Sequence, residues 1–111
     1  MRREIILAPA AVEAYRRLRA HDRSEVRDAL ERHLRFEPTK VSKSRIKRLR
    51  GVSRPQFRLR VGDIRVFYDV TETQVQVLAV ISKAEAQAWL DEQGTPTANE
   101  TEGSGSSSRQ G

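Results

Sequence analysis

The sequence predicts an α+β domain with a small twisted, mainly antiparallel four-stranded sheet, an N-terminal helical hairpin and a C-terminal helix, in the order β-α-α-β-β-β-α. Three observations support this class. Apolar residues recur at helical spacing from residue 9 to residue 37 and again after residue 82, whereas residues 56–81 alternate apolar and polar side chains as strands do. With 111 residues, 37% of them hydrophobic and 32% charged, the chain is expected to build one modest core.

The first half of the chain predicts a strand followed by two helices. Residues 3–7 form a short apolar strand, and Pro9 suits the first turn of a helix that runs to about residue 20. Asp22 followed by Glu25 resembles a capping box that starts the second helix. Pro38 stops that helix, because proline lacks the N–H that the helix needs.

The second half predicts three strands and a last helix. Residues 39–55 are basic without a clear apolar period and are predicted as a loop that could contain a short edge segment at 46–49. Strands follow at 56–61, 64–69 and 74–81. Ser82 is predicted to cap the last helix, which Gly94 ends. The domain is therefore predicted to span residues 1–94, with a disordered tail at 95–111 that has no large apolar side chain.

Composition excludes several kinds of site. The chain has no cysteine, so neither disulfides nor thiolate metal sites can form. Its two histidines, His21 and His33, have no partners at ligand spacing, and no metal or other cofactor is predicted. No apolar run is long enough for a membrane span, and the run at 5–8 is too short for a secretion signal, so a cytoplasmic protein without membrane contact is expected.

Positive charge is concentrated in the middle of the chain. From Lys40 to Arg65 the sequence contains ten basic residues and one acidic residue, Asp63, whereas acids outnumber bases in the rest. A basic patch on a slightly acidic body points to a polyanion partner, of which a phosphate backbone is the commonest. The alternative is a solvated basic loop that only maintains solubility.

The stretch "FRLRVGDIRVFYDV", residues 57–70, reads as a hairpin with arginines on one face. Gly62-Asp63 suits a two-residue type II′ turn, and pairing outward from it sets Arg60 opposite Arg65. Arg58 and an exposed Phe67 are predicted on the same outer face. Three guanidinium groups on one face repel one another unless an anion lies among them, and arginine binds phosphate through two N–H groups. The alternative is that acids such as Asp69, Glu72 or helix carboxylates pair with these arginines.

The segment "RIKRLRGVSRPQFRLRVGDIRVFYDV", followed by "VQVLAVISKAEA", resembles the RelE/ParE superfamily of bacterial toxins from type II toxin–antitoxin modules. The resemblance covers residues 3 to about 93, and it favours the RelE-like branch. It implies a toxin that cuts mRNA in the ribosomal A site and is silenced by a cognate antitoxin wrapping over the basic groove. Two alternatives remain: a ParE-like inhibitor that binds DNA gyrase without nuclease activity, and a degenerate module that only regulates transcription with its antitoxin.

The resemblance also assigns candidate site residues. Arg58 and Arg65 correspond to basic residues that orient and stabilise the scissile phosphate. The family's further arginine lies after the last strand, where only Lys83 is basic, so Lys83 is expected to add charge or transfer a proton. The family's C-terminal tyrosine has no counterpart, and Trp89 is the nearest aromatic residue. Arginines stay protonated and make poor bases, and Lys83, Lys47 or Lys43 could serve as the base only with a pKa lowered by their positive neighbours. The residues therefore support phosphate binding more strongly than cleavage. The predicted RNA-binding residues are Lys43, Lys47, Arg48, Arg50, Arg60 and Phe67.

Overall fold

The structure, a computed structural model, describes residues 2–97 and contains two sheets and three helices within them. Its elements are, in chain order, β1 (Glu4–Leu7), α1 (Pro9–Arg17), α2 (Ala20–Ala29), a π-helical turn (Leu30–Leu34), β2 (Ile46–Arg48), β3 (Val52–Arg54), β4 (Phe57–Val61), β5 (Ile64–Val70), β6 (Gln74–Ser82), α3 (Lys83–Gln93) and β7 (Thr95–Pro96).

The main sheet has five strands in the order β1-β6-β5-β4-β2. β1 pairs with β6 in parallel and the other neighbours are antiparallel, so the α+β class and the mainly antiparallel sheet are confirmed. The sheet has one strand more than the four predicted. The additional strand is β2, which pairs with β4 at the sheet edge, where the sequence allows a short edge segment at 46–49. β3 and β7 form a separate two-stranded sheet.

The core lies between one face of the main sheet and the first two helices. Alternate residues of the central strands, such as Leu59, Val66 and Tyr68, are fully buried there against Val26 and Leu34 from the helical segment. Strand alternation explains this arrangement, because every second side chain of a strand points to the same face. The Tyr68 hydroxyl, which is buried in this core, donates a hydrogen bond to the carbonyl oxygen of Pro38 at 2.6 Å, so its hydrogen-bonding requirement is satisfied.

Two local predictions about the helices are corrected. The second helix begins at Ala20 rather than at a capping box, because Leu18 and Arg19 are extended and break the chain's helical path before it. Asp22 lies inside the first turn, with its carboxylate 3.6 Å from Arg19. Ser82 does stand at the N-cap of α3, but its side chain makes no capping hydrogen bond.

The predicted tail starts too early. Thr95 and Pro96 pair with β3, and the hydroxyl of Ser53 donates to the carbonyl oxygen of Thr95 at 3.2 Å. Composition alone missed this short strand because it depends on backbone pairing and not on apolar side chains. The remainder of the predicted tail, residues 98–111, lies outside the described residues. No helix within residues 2–97 is long and apolar enough to cross a membrane.

Candidate phosphate-binding groove

The hairpin of β4 and β5 has the register that its turn predicts. Val61 pairs with Ile64, Arg60 with Arg65, and Arg58 with Phe67. Gly62 has a φ of +58°, which a type II′ turn requires at its first central position and which glycine adopts without strain. Arg58, Arg60 and Arg65 therefore share the sheet face opposite the core.

A groove of about 1000 Å³ runs along this outer face between the β2 side of the sheet and α3, and we call it the basic groove. Its floor and one wall carry five cationic side chains, and three residues of α3 form the other wall. The cationic residues are Lys43, Lys47, Arg48, Arg50 and Arg58. The α3 residues are Gln87, Leu90 and Asp91. The fold thus brings together five of the nine site residues that the sequence predicts.

Arg58 is the most constrained cation of the groove. Its Nε atom is buried and has no hydrogen-bond partner, and Lys47 lies directly opposite it on β2. Burial lowers the pKa of Arg58, and the positive charges of Arg65 and Arg60 lower it further. The protein therefore holds a partly desolvated guanidinium among like charges, which costs folding free energy unless an anion binds there.

Carboxylates do not neutralise the basic groove within residues 2–97. Asp69, the acid proposed from the sequence as a partner for the hairpin arginines, instead lies 3.2 Å from Arg54 and accepts a hydrogen bond from the backbone of Gln56. None of the ion pairs in the described part of the chain includes a cation of the groove. The groove consequently has an excess of positive charge, with five cationic residues and one carboxylate, that of Asp91, among the residues that line it.

Arg65 has a different environment from the one its strand position suggests. Its side chain is only 6% exposed, and its Nη1 atom donates to the carbonyl oxygens of Gly62, at 2.8 Å, and Ile64, at 3.1 Å. These bonds hold the guanidinium against the hairpin turn. Arg60 is exposed and lies about 7 Å from Arg58 along β4, by the rise of a strand.

The prediction that Phe67 exposes its ring is wrong. Phe67 is 2% exposed, and its ring stacks on Trp89 of α3 with 5.0 Å between the ring centroids and 14° between the planes. The physical reason is that α3 has its own apolar side chains to bury, and this end of the outer face offers it Phe67 and Ala79. Phe67 is therefore not available to stack a base in this conformation.

Two further predicted residues lie away from the centre of the groove. Lys83 begins α3 at the hairpin end of the sheet, where its N–H donates to the carbonyl oxygen of Asp63 at 2.7 Å. Strand spacings place this end about 14 Å from the backbone of Arg58, and Lys83 does not line the basic groove. Arg48 borders the groove, but it pairs with Phe57 of the core face, and its guanidinium lies over the Phe57 ring, 5.1 Å from the centroid. Its charge is therefore directed away from the outer face.

Gln87 and Asp91 are groove residues that the sequence analysis missed. They stand four positions apart on α3, and the Gln87 amide donates to the Asp91 carboxylate at 2.9 Å. Their spacing indicates one helix face. Which surface that face meets depends on how α3 packs on the sheet, and the local sequence carries no such signal.

The histidines lie apart from the basic groove. The pKa of His33 is lowered by burial and by the positive charges of Arg45 and Arg32, which favours the neutral imidazole. His21 is 3.9 Å from Glu25 on the exposed surface of α2. Residues 2–97 contain no cluster of three or more histidine, aspartate or glutamate residues that could hold a metal ion.

Comparison with known proteins finds similarity at the level of structure. Neither a protein-family model nor a curated protein matches the sequence. Among solved structures, the archaeal RelE–RelB complex from Pyrococcus horikoshii contains a chain that is 26% identical, with a TM-score of 0.56 over 75% of this chain and 97% of that one.

A mutant of Escherichia coli toxin RelE in the free state is 23% identical, with a TM-score of 0.63 over 83% of this chain and 94% of that one. The RelB–RelE antitoxin–toxin complex from Methanococcus jannaschii gives 18% identity and a TM-score of 0.60 over 76% and 96%. These TM-scores indicate that the α+β fold of the chain is similar to the fold of these RelE structures. The chain is therefore RelE-like, with the fold of the RelE toxins of toxin–antitoxin modules.

Proposed function

We propose that the chain is the toxin of a type II toxin–antitoxin module and acts in the cytoplasm as a ribosome-dependent mRNA interferase that inhibits translation. The RelE-like fold supports the toxin role, since the similar chains are RelE proteins, two of them in complexes with RelB. The chemistry of the basic groove supports RNA as the target.

The observation that carries this proposal is the uncompensated charge around Arg58. Five cations line one groove, and the buried Nε of Arg58 has no acceptor in the described part of the chain. The Nε atom is enclosed in this conformation, so a phosphate oxygen would reach it only after a shift of the Arg58 side chain. A phosphate bound in the groove would relieve the repulsion among the cations. Charge-assisted hydrogen bonds of this kind contribute about 1.5–3 kcal/mol each.

The proposal gives different roles to the hairpin and to the groove wall. Arg58 binds the scissile phosphate, and Arg60 extends the positive surface toward the hairpin turn. Arg65 positions that turn and adds positive potential beside Arg58. Lys83 adds positive charge that attracts the RNA strand at the hairpin end of the sheet. Neighbouring mRNA and rRNA phosphates are bound by Lys43, Lys47, Arg48 and Arg50.

The same groove is the proposed contact for a cognate antitoxin. A partner segment that carries acidic side chains would match the five cations, and it would exclude RNA while bound. The mechanism requires no cofactor, because attack of the RNA 2′-hydroxyl on its own phosphate needs positioning, charge stabilisation and proton transfer.

The proposal is tested by expressing the protein and mapping mRNA 5′ ends in a translating extract. We expect growth arrest and cuts at ribosome-bound codons with the wild type and with Arg27→Ala, whose exposed arginine lies on α2 away from the groove. Arg58→Ala is expected to reduce cutting at least 100-fold.

Intact mRNA during growth arrest, together with inhibited DNA supercoiling, would instead identify a gyrase inhibitor. Absence of growth arrest would leave a non-toxic binding module. Either result overturns the RNA-cleavage proposal.

A further inference from the structure

The residues that line the basic groove include one acidic side chain beside its lysines and arginines, and neither histidine lines it. Tyr68 is excluded as a base because its ring is in the core and its hydroxyl bonds to Pro38. Asp91 is the carboxylate among the lining residues, and cleavage by a 2′-hydroxyl requires a base.

Asp91 is exposed, and one hydrogen bond orients its carboxylate while leaving the second oxygen able to react. The Gln87 amide donates to Oδ1 at 2.9 Å. The other oxygen, Oδ2, accepts no hydrogen bond from the residues that the structure describes, and no lysine or arginine nitrogen among them lies within 4 Å of the carboxylate. Asp91 thus lines the groove and forms no ion pair with the described residues.

The position of Asp91 is fixed by the way α3 is attached to the sheet. Trp89, two residues earlier, stacks on Phe67, and the N–H of Gly94 donates to the carbonyl oxygen of Leu90 at 2.8 Å. β7 then joins the chain to β3 directly after the helix. A base on a rigid helix, supported by a neighbouring amide, meets the positional requirement for proton transfer.

We infer that Asp91 is the general base of the RNA-cleavage reaction, an inference that rests on the proposed function. In this step Oδ2 takes the 2′-hydroxyl proton, the O2′–P bond forms and the P–O5′ bond breaks. The leaving O5′ takes a proton from water, and the hydroxide that remains takes the proton from Asp91 and restores the carboxylate. The products are a 2′,3′-cyclic phosphate end and a 5′-hydroxyl end. Arg58 stabilises the charge that develops on the non-bridging oxygens.

The test compares Asp91→Asn with Glu92→Gln, a matched loss of one charge at the next, exposed residue of α3. Cleavage on programmed ribosomes is measured under single-turnover conditions, and binding of a single-stranded RNA oligonucleotide is measured separately. We expect Asp91→Asn to cut at least 100-fold more slowly while binding RNA as tightly as the wild type or more tightly. Glu92→Gln is expected to match the wild type in both assays, and retained RNA binding shows that each variant is folded.

If Asp91→Asn binds RNA more tightly and cuts at the wild-type rate, Asp91 only tunes the charge of the groove and the inference is wrong. Wild-type protein that arrests growth without cutting mRNA would overturn the proposed function as well, so the two failures are distinguishable.

Discussion

Replacing Arg58 with methionine is expected to make the protein more stable while removing the guanidinium that is proposed to bind phosphate. The Nε atom of Arg58 is buried without a partner, and such an orphaned polar atom costs about 1–3 kcal/mol. Arg60 and Arg65 add repulsion, which also contributes to the lowered pKa of Arg58. Methionine has a similar flexible stem, so it keeps most of the apolar contacts and loses the charge.

The size of this effect follows from the position of the side chain. Arg58 is half-buried and faces the groove, so solvent screens part of the repulsion, and the lower part of the range applies. We expect Arg58→Met to raise the free energy of unfolding by about 1 kcal/mol, which corresponds to roughly 4 °C in Tm for a domain of this size.

The assay is urea denaturation of the wild type, Arg58→Met and Arg60→Met at low and high salt. Arg60 is exposed on the same strand, so its substitution is expected to change stability by less than about 0.5 kcal/mol. The gain from Arg58→Met should shrink at high salt, where charge repulsion is screened. A loss of more than about 1 kcal/mol in Arg58→Met would refute the reasoning, because it would mean that Arg58 stabilises the fold.

Two other predictions concern the packing on either side of the sheet. Phe67→Ala is expected to lower the free energy of unfolding by about 3 kcal/mol in urea denaturation, because it removes a buried ring and its stacking on Trp89; a loss below about 1 kcal/mol would contradict the contact between α3 and the sheet. Burial raises the pKa of Tyr68 above its ordinary value of 10.0, so the unfolded chain loses this proton before the folded chain does, and stability should fall as the pH rises above 10. Tyr68→Phe is expected to weaken that alkaline loss, and an identical pH profile would contradict it.

The hairpin shows what the sequence can predict about the site. The turn at Gly62-Asp63 sets the pairing, and alternation then assigns every residue of β4 and β5 to a face, as the observed register confirms. Pairing and alternation assign each side chain to a face, but they do not predict what that side chain contacts there. They do not say that α3 covers Phe67, that Arg65 turns back to bond the carbonyl oxygen of Gly62, or that Lys83 begins a helix away from the groove.

The groove wall depends on tertiary packing in the same way. Gln87 and Asp91 share a helix face by their spacing, but only the stacking of Trp89 on Phe67 brings that face to the basic groove. The same holds for β7, which pairs with β3 through its backbone, so the side chains of residues 95 and 96 do not predict it. Charge density was readable from the sequence, whereas the partners of each charge were not.

The central claim, that the basic groove binds RNA phosphates, is tested most directly by the salt dependence of RNA binding. Titrations with a single-stranded oligonucleotide from 50 to 200 mM salt should give a slope of log K against log salt of about −0.7 for each phosphate neutralised. We predict a steep slope for the wild type and for Arg27→Ala, and a slope shallower by about 0.7 each for Lys47→Ala and Arg58→Ala. Slopes for these two groove variants that equal the wild-type slope would contradict the account.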